Sequence, residues 1–166
     1  YVRFHQEAEK DPKLDDLARQ AFKNLETGKE KEHSLWKKLV KHSMAEFQQI
    51  YDLLNVQIDK AHGESFYKDL WSEIIKEAKT KKVAVESQGA LVISYPDDKL
   101  PPAILLKSDG ATTYFTRDLA TIKFRQQKWQ PDLIIYEVGA EQTLHFKQVF
   151  WAAELLGWSK KNNFVH

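Results

Sequence analysis

The sequence contains no cysteine, which removes disulfide frameworks, Cys-ligated zinc and thiolate catalysis at once. It has no excess of either charge. Lys plus Arg number 25 against 24 Asp plus Glu, a formal net charge of +1, so this is not a strongly basic domain that coats nucleic acid, and any such contact must be local. No apolar run approaches the length of a bilayer span, and no signal peptide is recognisable, which favours a cytoplasmic setting without membrane contact. There is no internal repeat, no low-complexity segment, no GxGxxG, no Walker A lysine pattern and no GxSxG elbow. The six histidines are scattered without ligand spacing, so no metal site is expected.

What is present suits a globular chain. The 166 residues are 42% hydrophobic and 30% charged, enough for one or at most two domains with a real core. The opening Tyr1 and the closing Phe164-Val165-His166 read as the ends of a piece trimmed from a longer protein.

Residues 1–54 read as helical. Asp11-Pro12 opens a helix with an apolar stripe at Leu14, Leu17, Ala18, Ala21, Phe22 and Leu25, and Gly28 ends it. A second helix from about Lys31 through Leu54 exceeds the usual length, so a break is expected near His42-Ser43. Residues 55–110 read as a small, mainly antiparallel β insertion. Val56 to Asp59 suits a short strand, Phe66 to Lys79 a helix, and Val83 to Glu86 and Ala90 to Tyr95 a hairpin across Gln88-Gly89. Ala103 to Lys107 is the next strand. The lysines from Lys76 to Lys82 form a run that can touch phosphate but more often makes a solvated face.

Residues 111–166 organise the rest. Thr113, Tyr114 and Phe115 suit the end of a strand, with Thr116 capping a helix that turns Leu119 and Ile122 inward. Leu133 to Val138 is a nearly continuous apolar run, as expected for a strand buried on both faces. Gly139-Ala140 allows a turn, and Gln142 to Leu156 has helical spacing. The expected fold is therefore α/β: a βαβα half of a Rossmann-type parallel sheet joined by a right-handed crossover, with N-terminal helices and the β insertion. That topology puts Tyr114, Asp118 and Gln142 on one rim, where open α/β sheets bind ligands.

Together these three offer one charged acceptor and two neutral polar groups, a set that fits a planar cation. Simpler readings stand beside it. Asp118 is favourable in the first turn of a helix through the dipole alone, Tyr114 can be a core aromatic, and Gln142 can be a solvated residue. Gly139 permits close backbone approach by a ribose or phosphate, Glu141 can accept from ribose hydroxyls, and His145 follows on the same helix.

The run Lys107-Ser108-Asp109-Gly110, then Thr113-Tyr114-Phe115-Thr116-Arg117-Asp118-Leu119-Ala120, then Ile135-Tyr136-Glu137-Val138-Gly139-Ala140-Glu141-Gln142 with His145-Phe146, resembles the second part of the catalytic domain of bacterial arginyl-tRNA synthetases. Tyr1-Val2-Arg3-Phe4, Trp36, Tyr51, Leu54-Asn55-Val56 and Gly63-Glu64-Ser65-Phe66-Tyr67 follow the family's order, so the resemblance covers nearly the whole chain. It implies a class I synthetase that activates arginine with ATP, in the company of Mg2+, and transfers it to tRNA(Arg). It further implies that Tyr114, Asp118 and Gln142 recognise the arginine side chain. Looser similarity to other class I synthetases places Gly139, Glu141 and His145 near the adenosine.

The family's His-x-Gly-His and Lys-Met-Ser-Lys-Ser motifs are absent from this sequence. The expectation is that this piece alone does not catalyse aminoacylation, and that its side chains supply positioning, with none in a catalytic role. A self-contained ligand- or protein-binding α/β module is the alternative from another class. A class I synthetase for a different amino acid is a third, against which Asp118 argues for a cationic substrate.

Overall fold

The computed structural model describes residues 1–159 and 163–166, Asp98 by its backbone alone. The chain forms two compact units, Tyr1–Ala61 and His62–His166. It is a mixed α/β fold with helices and a small antiparallel sheet.

The first unit is helical: α1 (Val2–Ala8), α2 (Lys13–Glu26) and α3 (Glu30–Leu53). Pro12 precedes α2, Asp11 Oδ1 accepts from the Lys13 amide at 3.1 Å, and Gly28 follows the helix at φ +77°, where a side chain would be strained. The break expected near His42-Ser43 is absent. Helix α3 runs unbroken because nothing between Glu30 and Leu53 is Gly or Pro, so no backbone hydrogen bond has to be given up. Nor is there a strand at Val56 to Asp59. A strand's amides need a partner strand, and the described strands all lie later in the chain.

In the second unit a 3-10 turn (Glu64–Tyr67) leads into α4 (Leu70–Thr80), and three strands follow: β1 (Ala84–Ser87), β2 (Ala90–Ile93) and β3 (Ala103–Leu106), antiparallel in the order β1-β2-β3. The hairpin turns on Gln88 and Gly89, both at positive φ, the two-residue loop whose twist matches that of its strands. Helix α5 (Tyr114–Lys128), β4 (Ile134–Ile135), a 3-10 turn (Ala140–Gln142), α6 (Thr143–Leu155) and β5 (Phe164–Val165) complete it.

One core serves the whole unit. Ile74 and Ala78 of α4, Leu91 and Ile93 of β2, Leu105 of β3, Phe115, Leu119 and Ile122 of α5, and Val149, Ala152 and Leu156 from α6 and its end pack together. Each large side chain wholly removed from water stabilises the unit by roughly 1.5–3 kcal/mol.

The crossover lies elsewhere than expected. Strands β3 and β4 belong to different sheets, and the parallel pair is β4 with β5, Ile134 opposite Phe164, with α6 between them in the chain. The Leu133 to Val138 run contributes only two strand residues. Ile134 is buried while Ile135 is 65% exposed, so the strand is covered on one face, not two.

A buried cation joins α5 to α4. Lys123 is only 4% exposed, and its Nζ donates to Glu73 Oε1 at 2.7 Å and Glu77 Oε2 at 2.6 Å. Glu77 Oε1 is paired with Lys81 Nζ at 2.7 Å and accepts from Trp158 Nε1 at 2.9 Å. Lys81 also donates to the Leu156 carbonyl at 2.5 Å, so the ammonium of this member of the lysine run is tied to the fold while its side chain stays partly exposed. Burial alone would raise the Glu77 carboxyl, but the hydrogen bonds from Lys123, Lys81 and Trp158 outweigh it and hold it down at about 2, against an ordinary 4.5.

Because the folded value lies below the unfolded one, Glu77 contributes stability in full above about pH 4.5, and that contribution is lost as the pH falls toward about 2. Urea unfolding followed by tryptophan fluorescence across this range is expected to show stability falling with acid by about 2–3 kcal/mol for this group. Glu77→Gln should flatten that dependence; an unchanged slope would show that other carboxylates carry it.

Candidate functional site

The approach to α5 is a tight turn. Gly110, at φ +82°, donates to the Lys107 carbonyl at 3.0 Å, Lys107 donates to the Ala111 carbonyl at 2.9 Å, and Asp109 Oδ1 accepts from the Ala111 amide at 2.9 Å. Thr112 bridges back to Leu106, and the helix then begins at Tyr114 with Thr113 in the N-cap position. Two expectations change here. Thr113 to Phe115 is not the end of a strand, and Thr116 is not the cap but lies inside the first turn, fully buried. Both hydroxyls serve β3 instead: Thr113 Oγ1 donates to the Ile104 carbonyl at 2.6 Å, and Thr116 Oγ1 to the Leu105 carbonyl. Edge carbonyls of the sheet thereby hold the start of the helix.

With α5 starting at Tyr114, Tyr114 and Asp118 are one turn apart on a single face. Asp118 Oδ2 lies 2.6 Å from His145 Nε2 on α6. Since an ionised carboxylate only accepts, the imidazole carries a proton on that nitrogen. The Tyr114 ring is centred 4.6 Å from the His145 ring at 56°, with Phe146 at 5.0 Å and 70° and Phe115 at 6.3 Å and 76°. Tyr114 itself is 65% exposed. The result is a carboxylate with 30% of its side chain exposed, one hydrogen-bond partner among the described residues, and an open aromatic face beside it. Such a group can accept from a cationic donor arriving from solvent.

The remaining sequence-chosen residues lie at the start of α6. Gln142 occupies its N-cap position with an exposed side chain, and its backbone amide donates to the Gly139 carbonyl at 3.0 Å, closing the 3-10 turn. Thr143 Oγ1 donates to the Ala140 carbonyl at 2.6 Å. The Glu141 carboxylate folds back over Gly139, where any added Cβ would run into it. The structure thus joins Tyr114, Asp118 and His145 in one cluster. Among the described residues no hydrogen bond ties Gly139, Glu141 or Gln142 to Tyr114 or Asp118 through their side chains.

Sequence reasoning passed over several neighbours. The Arg125 guanidinium carbon lies 5.4 Å from the Tyr136 ring centre. Burial raises the Tyr136 hydroxyl above its ordinary value, Arg125 and Thr121 oppose the rise, and the charge of Asp118 adds to it. Arg117 Nη1 donates to Glu64 Oε2 at 2.9 Å, and the guanidinium carbon lies 5.4 Å from the Trp71 ring centre, tying the Gly63-Glu64-Ser65 stretch to the α5 start. Only the order of the motifs along the chain hinted at this contact. Among the described residues no group of three or more His, Asp and Glu side chains is placed to hold a metal ion.

The family model described as class I tRNA synthetases (R), catalytic domain, matches residues 1–166. This chain belongs to that family. An arginine–tRNA ligase of Clostridium botulinum (strain Alaska E43 / Type E3) is 47% identical over 166 residues, all of this chain and 30% of that protein. One from Clostridium kluyveri is 48% identical over 157 residues, 95% of this chain and 28% of that protein. The chain thus spans less than a third of the length of these curated relatives. The crystal structure of arginyl-tRNA synthetase from Plasmodium falciparum superposes with a TM-score of 0.82 at 25% identity, over 93% of this chain and 28% of that one. A putative arginyl-tRNA synthetase from Campylobacter jejuni shares the fold, with a TM-score of 0.70 at 21% identity over 92% of this chain and 34% of that one.

In this class I chain the threonine bonds to β3 fix where Asp118 projects. Thr116→Val keeps the shape but leaves the buried Leu105 carbonyl without its donor, so a loss of about 1–3 kcal/mol is expected in the unfolding free energy from urea titration. Thr113→Val, at a partly exposed site, should cost less. Equal and negligible losses in both would show that the hydroxyls do not anchor the helix.

Proposed function

We propose that this chain supplies the arginine side-chain pocket of a synthetase that activates arginine with ATP and charges tRNA(Arg). The observation that carries the reading is Asp118: a partly exposed carboxylate one helical turn from the open Tyr114 ring, with a single side-chain partner among the described residues. A guanidinium presents a planar fork of donors that matches two carboxylate oxygens, and it stacks on aromatic faces. Asp118 would take the fork, Tyr114 would flank it, and the exposed amide of Gln142 would set its orientation.

The fold supports placing this pocket at the rim of a Rossmann-type sheet. Strands β4 and β5 run parallel with α6 between them in the chain, and Gln142 stands at the amino end of that helix, the region where open α/β sheets take ligands. The division into helices at 1–54, a β insertion at 55–110 and the Rossmann-type half at 111–166 belongs to the same proposal, with the insertion bracing α5 through β3. Gly139 and Glu141 are assigned to the adenosine side. Bound ATP would supply the adenylyl group, the arginine carboxylate bonding to its α-phosphorus as pyrophosphate leaves, while the residues here hold the amino acid in place. No residue of the chain is assigned to Mg2+. A cytoplasmic setting belongs to the same proposal; no helix among the described residues is long and apolar enough to cross a membrane. Lacking both nucleotide signature motifs, the isolated chain is expected to show no aminoacylation.

Calorimetric titration with arginine, lysine and citrulline tests the pocket. Arginine should bind; citrulline, which replaces the cation by a neutral isostere, should bind at least about ten- to a hundredfold more weakly. Lysine should also be weaker, because it offers a point charge in place of a fork. Asp118→Ala should abolish the arginine signal. Arginine and citrulline binding alike, or arginine binding surviving Asp118→Ala, would refute the reading.

A further inference from the structure

The carboxylate proposed to meet the guanidinium is not free to turn. Its Oδ2 is held at 2.6 Å by His145 Nε2, a charge-assisted bond across from α5 to α6. The imidazole is itself confined, only 9% exposed and enclosed by the rings of Tyr114, Phe115 and Phe146 at 4.6, 6.3 and 5.0 Å. A carboxylate offers about four lone-pair sites, so one bond from His145 leaves Oδ1 and the second lone pair of Oδ2 for another donor. The bond fixes the plane of the carboxylate without filling it.

We infer that His145 is a positioning residue for arginine: through its Nε2–H it sets the plane of the Asp118 carboxylate, so that the fork of a guanidinium meets both oxygens without reorganisation. This rests on the arginine-pocket reading above and gives His145 a role toward the amino acid in place of the adenosine. Its consequence is for discrimination. A carboxylate held in one plane favours a planar fork over a point charge; one that turns freely attracts both. Preorganisation of this kind contributes by removing the ordering cost from the binding step.

The test uses the complete encoded protein, with arginine, lysine and ATP affinities measured separately by calorimetry for His145→Leu, His145→Gln, His145→Asn and Asp118→Ala. The amide nitrogen of glutamine reaches about where Nε2 stands, whereas that of asparagine reaches only the position of Nδ1. The expected result is a loss of arginine affinity of about tenfold or more in the leucine and asparagine variants. Glutamine should restore it to within about threefold, and the ratio of arginine to lysine affinity should fall and recover in parallel. ATP affinity should stay within about twofold throughout, which also reports an intact fold. Should the leucine variant not fold, the contrast between glutamine and asparagine decides the matter by itself. Unchanged arginine affinity in the leucine and asparagine variants, glutamine no better than asparagine, or a loss confined to ATP would overturn the inference. If Asp118→Ala still abolishes arginine binding in that case, the pocket stands and only the role of His145 falls; if Asp118→Ala has no effect, both fall.

Discussion

The second unit depends on the seating of helix α5 against the small antiparallel sheet. Phe115, Leu119 and Ile122 leave water completely or nearly so on its inward face, and the two threonine hydroxyls pin its first turn to carbonyls of β3. At 100° per residue the other faces of the same helix are aimed in fixed directions. Lys123 goes to α4, Asp118 to α6, Arg117 to the 3-10 turn at Glu64, and Arg125 to Tyr136. A helix with a partner on nearly every side carries charged groups inward as well as outward. Its sequence therefore lacks the clean two-faced pattern of a surface helix.

Two charged clusters hang from this helix and differ in a way that separates structure from function. Around Lys123 the ammonium meets two carboxylates, and Glu77 has three donors of its own. Such a network is closed, and removing one member leaves the others short of partners. Around Asp118 the account is left open. The carboxylate has His145 on one oxygen and solvent access beside an exposed tyrosine ring. A fold that spent this charge on stability alone would have enclosed it as it did Lys123. The unfinished coordination is the physical basis for reading the site as one that waits for a cation.

The chain also shows how a short β element can position a site. The three-stranded sheet has only four residues in each strand, yet Leu91 and Ile93 of β2 share one core with residues of α4, α5 and α6, and β3 presents edge carbonyls to the threonines. The insertion is thus a brace, and Tyr114 and Asp118 stand on the helix it braces.

Much was legible in the residues themselves. The hairpin at Gln88-Gly89, the end of α2 at Gly28 and the helical spacing of α5 and α6 follow from backbone preference and periodicity, which act over a few neighbours. The family was legible too, in the order of its short motifs. What local signals could not say is which strand pairs with which, because hydrogen bonds between strands join residues far apart in the chain. Hence the parallel partner of β4 proved to be β5, the strand at Val56 was not formed, and Thr116 turned from a cap into an anchor on β3. The pairing of His145 with Asp118 belongs to the same class: 27 residues separate them, and only the packing of α6 against α5 brings the imidazole to the carboxylate.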